Sequence, residues 1–289
     1  MKVRIAARGS RLSVKQVETV SSYLNSRGYE TEFIEVKTRA DLFSGTPLHE
    51  IGKGVFDKEV NEAVLIGKAD LAVHSMKDLS ALPEGLKILA TPRRENPSDV
   101  LVSDYELQEM PAGSKIGTGS LRRTNFLKVL RPDLQVINLR GNVDTRIRKY
   151  LTREYDGIIL AEAGLVRLGI NVKRHELDVH DFTPEANQGI IAIVGRPHLT
   201  ELLKELNDEA TMTVARAERE VVKVIGGGCH SPLGVLFQME DDRLTGIASY
   251  SDGIRRVSAS VSVMDSPEAA GQALGRALLK EMKNAGLIS

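Results

Sequence analysis

Strand-length apolar runs alternate with helix-length amphipathic stretches through the first two thirds of this 289-residue chain. Few folds accept that pattern, because alternating β and α units bury their apolar faces by packing helices on a mostly parallel sheet. Val3, Ile5 and Ala7 alternate and predict a strand over 2–7. Ser10 is set to cap the next helix, which carries Leu12, Val14, Val17, Val20 and Leu24 on one face and stops at Gly28. Residues 31–37 read as a strand, Asp57 as the cap of a helix over 58–66, and 70–73 as the next strand. Residues 38–54 show no periodicity, and a structureless stretch of that length inside a domain marks a functional loop.

A second cycle starts beyond Pro92 and Pro97. Strands are expected over 100–103, 115–117, 134–139 and 157–160, with helices over 120–130, 143–151 (capped by Asn142) and 162–168. The apolar run 189–194 lies so far along that it is expected to return to the first sheet. The C-terminal part changes style. A helix over 211–225 precedes three strands, 233–238, 244–249 and 255–263, the last two joined through the hairpin dipeptide Asp252-Gly253. Ser266 caps a final helix, 267–284, with proline in its first position. A chain of this length outgrows a single core. The expected division is three domains: 1–93 with 189–208, 94–188, and 209–289.

Composition narrows the partners. The one cysteine, Cys229, follows Gly226-Gly227-Gly228 and precedes His230-Ser231-Pro232, so it sits on a bare, bent backbone, either as an inert loop thiol or as a reactive one. It can form no internal disulfide, which fits a reducing, cytoplasmic setting. The start Met1-Lys2-Val3-Arg4 is charged at once, so no secretory signal is expected, and no uncharged apolar run reaches the roughly 18 residues of a membrane span. The 39 basic and 39 acidic residues cancel, yet residues 115–153 hold ten basic and two acidic ones, a local excess of +8. Such a stretch is either a solvated basic face or a site for nucleic acid, phosphate or carboxylate. Only Phe126 and Tyr150 interleave with its cations, so stacking platforms for nucleic acid are poor.

The arginines fall at informative places. Arg8, Arg122, Arg123 and Arg140 each come just after an expected strand, beside Ser10, Thr118, Ser120 and Asn142, and Arg146 follows Asn142 by one helical turn. In open α/β sheets ligands gather at the carboxyl ends of strands, where helix N-termini also favour anions. The pattern predicts a polyanion site. His74-Ser75-Met76-Lys77-Asp78 ends another strand. Asp78, kept ionised by Lys77, is the best acid/base candidate there, the alternative being a structural Asp–Lys pair; His74 more often serves as a satisfied strand-end histidine. No metal-ligand spacing, phosphate loop or dinucleotide-binding glycine motif is present in the sequence.

Six motifs, in order, carry a resemblance. They are Arg4-Ile5-Ala6-Ala7-Arg8-Gly9-Ser10, Val73-His74-Ser75-Met76-Lys77-Asp78, Gly117-Thr118-Gly119-Ser120-Leu121-Arg122-Arg123, Leu139-Arg140-Gly141-Asn142-Val143-Asp144-Thr145-Arg146, Leu160-Ala161-Glu162-Ala163-Gly164-Leu165-Val166-Arg167-Leu168-Gly169, and the glycine–cysteine loop. Together they resemble the porphobilinogen deaminase (hydroxymethylbilane synthase) family over nearly the whole chain. The resemblance implies an α/β fold of two periplasmic-binding-protein-like βα domains with mixed, largely parallel sheets, plus a C-terminal α+β domain with a three-stranded antiparallel sheet. It implies that four porphobilinogen molecules are condensed head to tail, with loss of ammonia, on a dipyrromethane cofactor attached through a thioether to Cys229.

Each pyrrole bears an acetate and a propionate, and arginines hold such carboxylates through paired hydrogen bonds. By position, the resemblance implies that Arg8, Ser10, Thr118, Ser120, Arg122, Arg123, Arg140, Gly141, Asn142, Arg146, Arg167 and Gln188 contact cofactor or substrate. Lys77 is a further cofactor contact, Lys53 and Phe56 lie over the cofactor near the lid loop, and Asp78 is the catalytic carboxylate. Some positions depart from the family pattern. Glu50 stands where lysine is common, the lid segment Ile51-Gly52-Lys53-Gly54 has one glycine fewer, Gly119 replaces a common serine, and His230 follows the cysteine. These bear on lid closure and one cofactor hydrogen bond. The expected protein is a cytoplasmic monomer without metal, nucleic-acid or membrane partners. The competing reading is a non-catalytic solute-binding-type protein for a polycarboxylate, which would have no use for a reactive thiol.

Overall fold

The computed structural model describes residues 2–38, 56–226 and 231–288. The lid loop with Lys53, and Cys229 with its neighbours 227, 228 and 230, lie outside the described residues. Along the chain come β1 (Lys2–Arg8), α1 (Arg11–Ser26), β2 (Glu30–Val36), α2 (Lys58–Leu65), β3 (Leu71–Ser75) and β4 (Lys87–Ala90). Next are β5 (Asp99–Ser103), β6 (Lys115–Thr118), α3 (Leu121–Leu130), β7 (Gln135–Asn138), α4 (Val143–Leu151), β8 (Gly157–Ala161), α5 (Glu162–Leu168), β9 (Arg174–Glu176) and β10 (Ile191–Gly195).

These strands build two five-stranded sheets on one plan: β2-β1-β3-β10-β4 and β7-β6-β8-β5-β9. In each, the first three strands run parallel, and one reversed strand, β10 or β5, separates them from the edge. The apolar run expected to rejoin the first sheet is β10, inserted antiparallel between β3 and β4. The edge strands β4 and β9 were not predicted. They have four and three residues, too few to show a period.

The chain divides into two compact units, Met1–Glu95 with Gly189–Met212, and Asn96–Gln188 with Thr213–Ser289. The first holds one core, in which Val3, Ile5 and Ala7 of β1, Leu71 and Val73 of β3, and Ile191 and Ile193 of β10 meet Val17, Val20 and Leu24 of α1. In the second, strand alternation feeds two cores on opposite faces of the sheet. Leu101 and Ile159 join Phe126 and Leu127 on one face, while Val100, Val102, Ile158 and Leu160 join Ile147 and Tyr150 on the other.

The second unit also contains α6 (Glu209–Ile225), β11 (Leu233–Glu240), β12 (Arg243–Ser251), β13 (Arg256–Val263) and α7 (Pro267–Asn284). The three strands form an antiparallel sheet in the order β11-β12-β13. Ala270, Leu274, Leu278 and Met282 recur every fourth residue as the buried stripe of α7, whose first turn Ser266 caps by accepting from the Ala269 N–H. Polar contacts join this sheet to the preceding elements: Asn125 Nδ2 donates to Ser251 O at 2.7 Å, and Thr183 Oγ1 meets Ser249 Oγ at 2.8 Å.

Candidate functional site

In the first unit the parallel neighbours β1 and β3 deliver their carboxyl ends side by side. Arg8 ends β1, and its guanidinium carbon lies 4.9 Å from the centre of the Phe56 ring, a cation–π contact that seats both. Gly9 follows, and the Glu35 side chain of the adjacent strand fills the space a Cβ there would take, with Oε1 at 2.3 Å from that position. Ser10 caps α1 as expected, its Oγ accepting from the Ser13 N–H at 3.2 Å. The buried Gln16 on α1 donates to Ser75 Oγ at 2.8 Å and so ties the helix to the end of β3. A single 3-10 turn, Met76–Asp78, then presents Lys77 and Asp78, both half-buried.

Behind that turn lies a polar cluster. His74 is buried, and its Nε2 lies 2.9 Å from Asn61 Oδ1. Burial pushes the imidazole down to about 4, against the opposing pull of Asp57, so His74 is neutral near pH 7. Asp57 departs from expectation. It occupies the position before α2, yet its side chain makes no cap hydrogen bond. The carboxylate accepts instead from Ser80 N at 2.8 Å and Ser80 Oγ at 2.6 Å.

In the second unit β7, β6 and β8 are parallel neighbours, with Thr118 opposite Asn138 in register. The segments that follow them carry the predicted site residues. Thr118 is buried and accepts from the Ser120 N–H at 3.2 Å; Ser120 in turn caps α3 through the Arg123 N–H. Gly119, which stands where a serine was the family expectation, has no room for a side chain: a Cβ would lie 2.7 Å from Leu139 O. After β7 come Arg140 and Gly141, and Arg146 Nε reaches back to Gly141 O at 2.8 Å. Gly141 adopts φ +109°, which a side chain would strain. Asn142 sits at the N-cap position of α4 without making the expected side-chain cap bond. Arg167 projects from α5, half-buried like Arg140 and Arg146.

Arg122 and Arg123 have a different setting. Arg122 is 2% exposed, and its fork donates to Asp99 Oδ2 at 2.6 Å and to Thr183 O at 2.7 Å. Arg123 donates to Asp99 Oδ1 through Nε at 3.0 Å and through a terminal nitrogen at 2.7 Å, and to Ile159 O. Gln188 completes the cluster, donating to Asp99 Oδ1 at 2.9 Å and to Pro97 O at 2.8 Å. Burial opposes the charge of Asp99, but the two guanidiniums outweigh it and hold the carboxyl down at about 2. These three predicted contact residues thus share an internal carboxylate. Sequence reasoning missed Asp99, because a single acid at the start of a strand announces nothing. It also missed Glu218, buried on α6, which accepts from the Phe237 N–H at 2.8 Å and from the Asn187 N–H at 2.5 Å.

Comparison with known proteins gives concordant matches. Residues 3–204 match the family model described as porphobilinogen deaminase, dipyrromethane cofactor binding domain, and residues 212–284 match porphobilinogen deaminase, C-terminal domain. A probable porphobilinogen deaminase of Metallosphaera sedula is 69% identical over 289 residues, covering all of both chains. Similarly described proteins of Saccharolobus islandicus and Sulfurisphaera tokodaii are 53% and 50% identical, again over the full length of both chains.

Proposed function

The chain belongs to the porphobilinogen deaminase family, and we propose that it builds hydroxymethylbilane from four porphobilinogen molecules on a dipyrromethane primer attached to Cys229. It is a transferase of tetrapyrrole biosynthesis. The observation that carries the reading is the match of both family models across nearly the whole chain.

The donor chemistry of the second unit fits a polycarboxylate: half-buried Arg140, Arg146 and Arg167, with Ser120 and Asn142, offer N–H and O–H donors after three adjacent strands. We read these, with Thr118 and Gly141, as the groups that hold acetate and propionate side chains. Arg122, Arg123 and Gln188 then support that edge, using Asp99 as their common counter-charge. For the first unit the family resemblance assigns Arg8, Ser10, Lys77, Phe56 and Lys53 to cofactor or substrate contact, and of these Arg8, Ser10 and Lys77 carry donor groups.

The dipyrromethane, when bound, supplies the pyrrole carbon from which the chain grows. Asp78 faces the substrate chemistry. Its carboxylate balances the positive charge left on porphobilinogen as ammonia departs, then accepts the proton released when the new carbon–carbon bond forms.

Among the described residues no helix is long and apolar enough to cross a membrane. We further read the protein as a cytoplasmic monomer, without a nucleic-acid partner, whose second unit comprises two domains, 94–188 and 209–289. The test of the catalytic assignment is Asp78→Ala. It is expected to keep the covalently attached cofactor in the intact-protein mass and to lose turnover of porphobilinogen by about 100-fold or more. Turnover near the wild-type rate would refute the assignment.

A further inference from the structure

An aspartate just before a helix ordinarily accepts from the free N–H groups of the first turn. Asp57 gives up that bond. It is 1% exposed, its Oδ2 takes both hydrogen bonds from Ser80, and its Oδ1 is buried with no hydrogen-bond partner among the described residues. A buried carboxylate with one bare oxygen costs stability, and so does an uncapped helix. An arrangement that carries both costs is best explained by what it fixes.

What it fixes is the segment bearing Lys77 and Asp78. Leu79 N–H closes the 3-10 turn onto Met76 O at 3.1 Å, and Ser80 follows directly. The other side of the turn is held as well. Asn61 lies one helical turn beyond Asp57, its N–H donating to Asp57 O at 2.9 Å, and its side chain meets His74 near the end of β3. Met76 N–H donates to Ile190 O at 2.9 Å. The first turn of α2 therefore grips residues 74–80 at two points, through Asn61 before the turn and through Asp57 after it.

We infer that Asp57 is a positioning residue for the Asp78 carboxylate, acting through Ser80, with Asn61 and His74 as the second jaw of the same clamp. This rests on the reading of Asp78 as the reacting carboxylate. A turn of three residues has few bonds of its own, and a displacement of about 1 Å at a reacting group can cost up to 100-fold in rate.

The experiment uses the purified full-length holoenzyme and four variants: Ser80→Ala, Ser80→Thr, Asp57→Asn and the double Asp57→Asn/Ser80→Ala. Ser80→Ala and Asp57→Asn are expected to lower kcat for porphobilinogen about tenfold with KM within about twofold. Their intact masses should show cofactor loading equal to wild type. Ser80→Thr keeps the hydroxyl and should restore most of kcat. The double variant should lose less than the product of the two single losses, since both changes weaken the same Asp57–Ser80 link. Wild-type kcat in both single variants would overturn the inference. So would a loss of kcat with reduced cofactor loading that Ser80→Thr fails to rescue, the mark of a merely structural role. Asp78→Ala run alongside separates the failures: if it turns over normally, the catalytic reading falls and this one with it, whereas an inactive Asp78→Ala beside fully active Asp57 and Ser80 variants sinks the clamp alone.

Discussion

At the scale of single residues, the basic stretch 115–153 shows how composition and function part company. Its excess of +8 predicts an anion site, yet several of its cations are paired within the chain: Arg122 and Arg123 with buried Asp99, Arg131 with Asp133, and Arg153 with Asp104. Exposed pairs such as Arg153–Asp104 contribute little, but the Asp99 cluster is buried and different in kind. Asp99→Ala would leave two buried guanidiniums without their carboxylate and is expected to destabilise the protein by about 3–5 kcal/mol, read by chemical denaturation. Acid should act through the same group. Its folded pKa lies below the ordinary 3.8, so its contribution is complete above about pH 4 and is lost as the pH falls toward 2. His74 has the opposite dependence on charge. Its folded value is about 4 against an ordinary 6.5, so between those values the unfolded chain binds a proton that the folded one does not. Stability is therefore expected to fall as pH drops from 6.5 to 4, and His74→Gln should flatten that slope in thermal melts. The satisfied, strand-end His74 was legible from sequence, but the Asp99 cluster was not, because a buried charge pair is made by residues far apart in the chain, here Asp99 with Arg122 and Arg123.

Elements were easier to read than their side-chain duties. The long periodic helices and the apolar strands emerged within a few residues of their sequence-based bounds, since period and breaker residues act locally. Short edge strands did not, because their form comes from a neighbour's hydrogen bonds. Caps divided the same way: Ser10 and Ser266 cap as the sequence indicates, whereas Asp57 and Asn142 occupy cap positions without capping. The exceptions fall at candidate functional segments, where local preference yields to the site. Helix α6 supplies a test at this scale. Glu218 holds the Phe237 and Asn187 backbone N–H groups from inside the second unit. Glu218→Ala would leave both donors buried without that acceptor and is expected to cost about 2–5 kcal/mol, with a lowered melting temperature.

Across the whole molecule, two sheets of one strand plan put the candidate residues at equivalent places, beyond the carboxyl ends of the parallel strands. That plan was visible in the sequence as the recurring strand-then-arginine pattern, and the six ordered motifs added the chemistry that pattern alone left open. The glycine–cysteine loop remains the feature on which the functional account turns, and it is read from sequence, since Cys229 lies outside the described residues. The most direct test is the mass of the intact purified protein. The account expects an excess over the polypeptide equal to two condensed porphobilinogen units, absent from Cys229→Ser. A bare polypeptide mass in wild-type protein, with no tetrapyrrole formed when porphobilinogen is added, would contradict it.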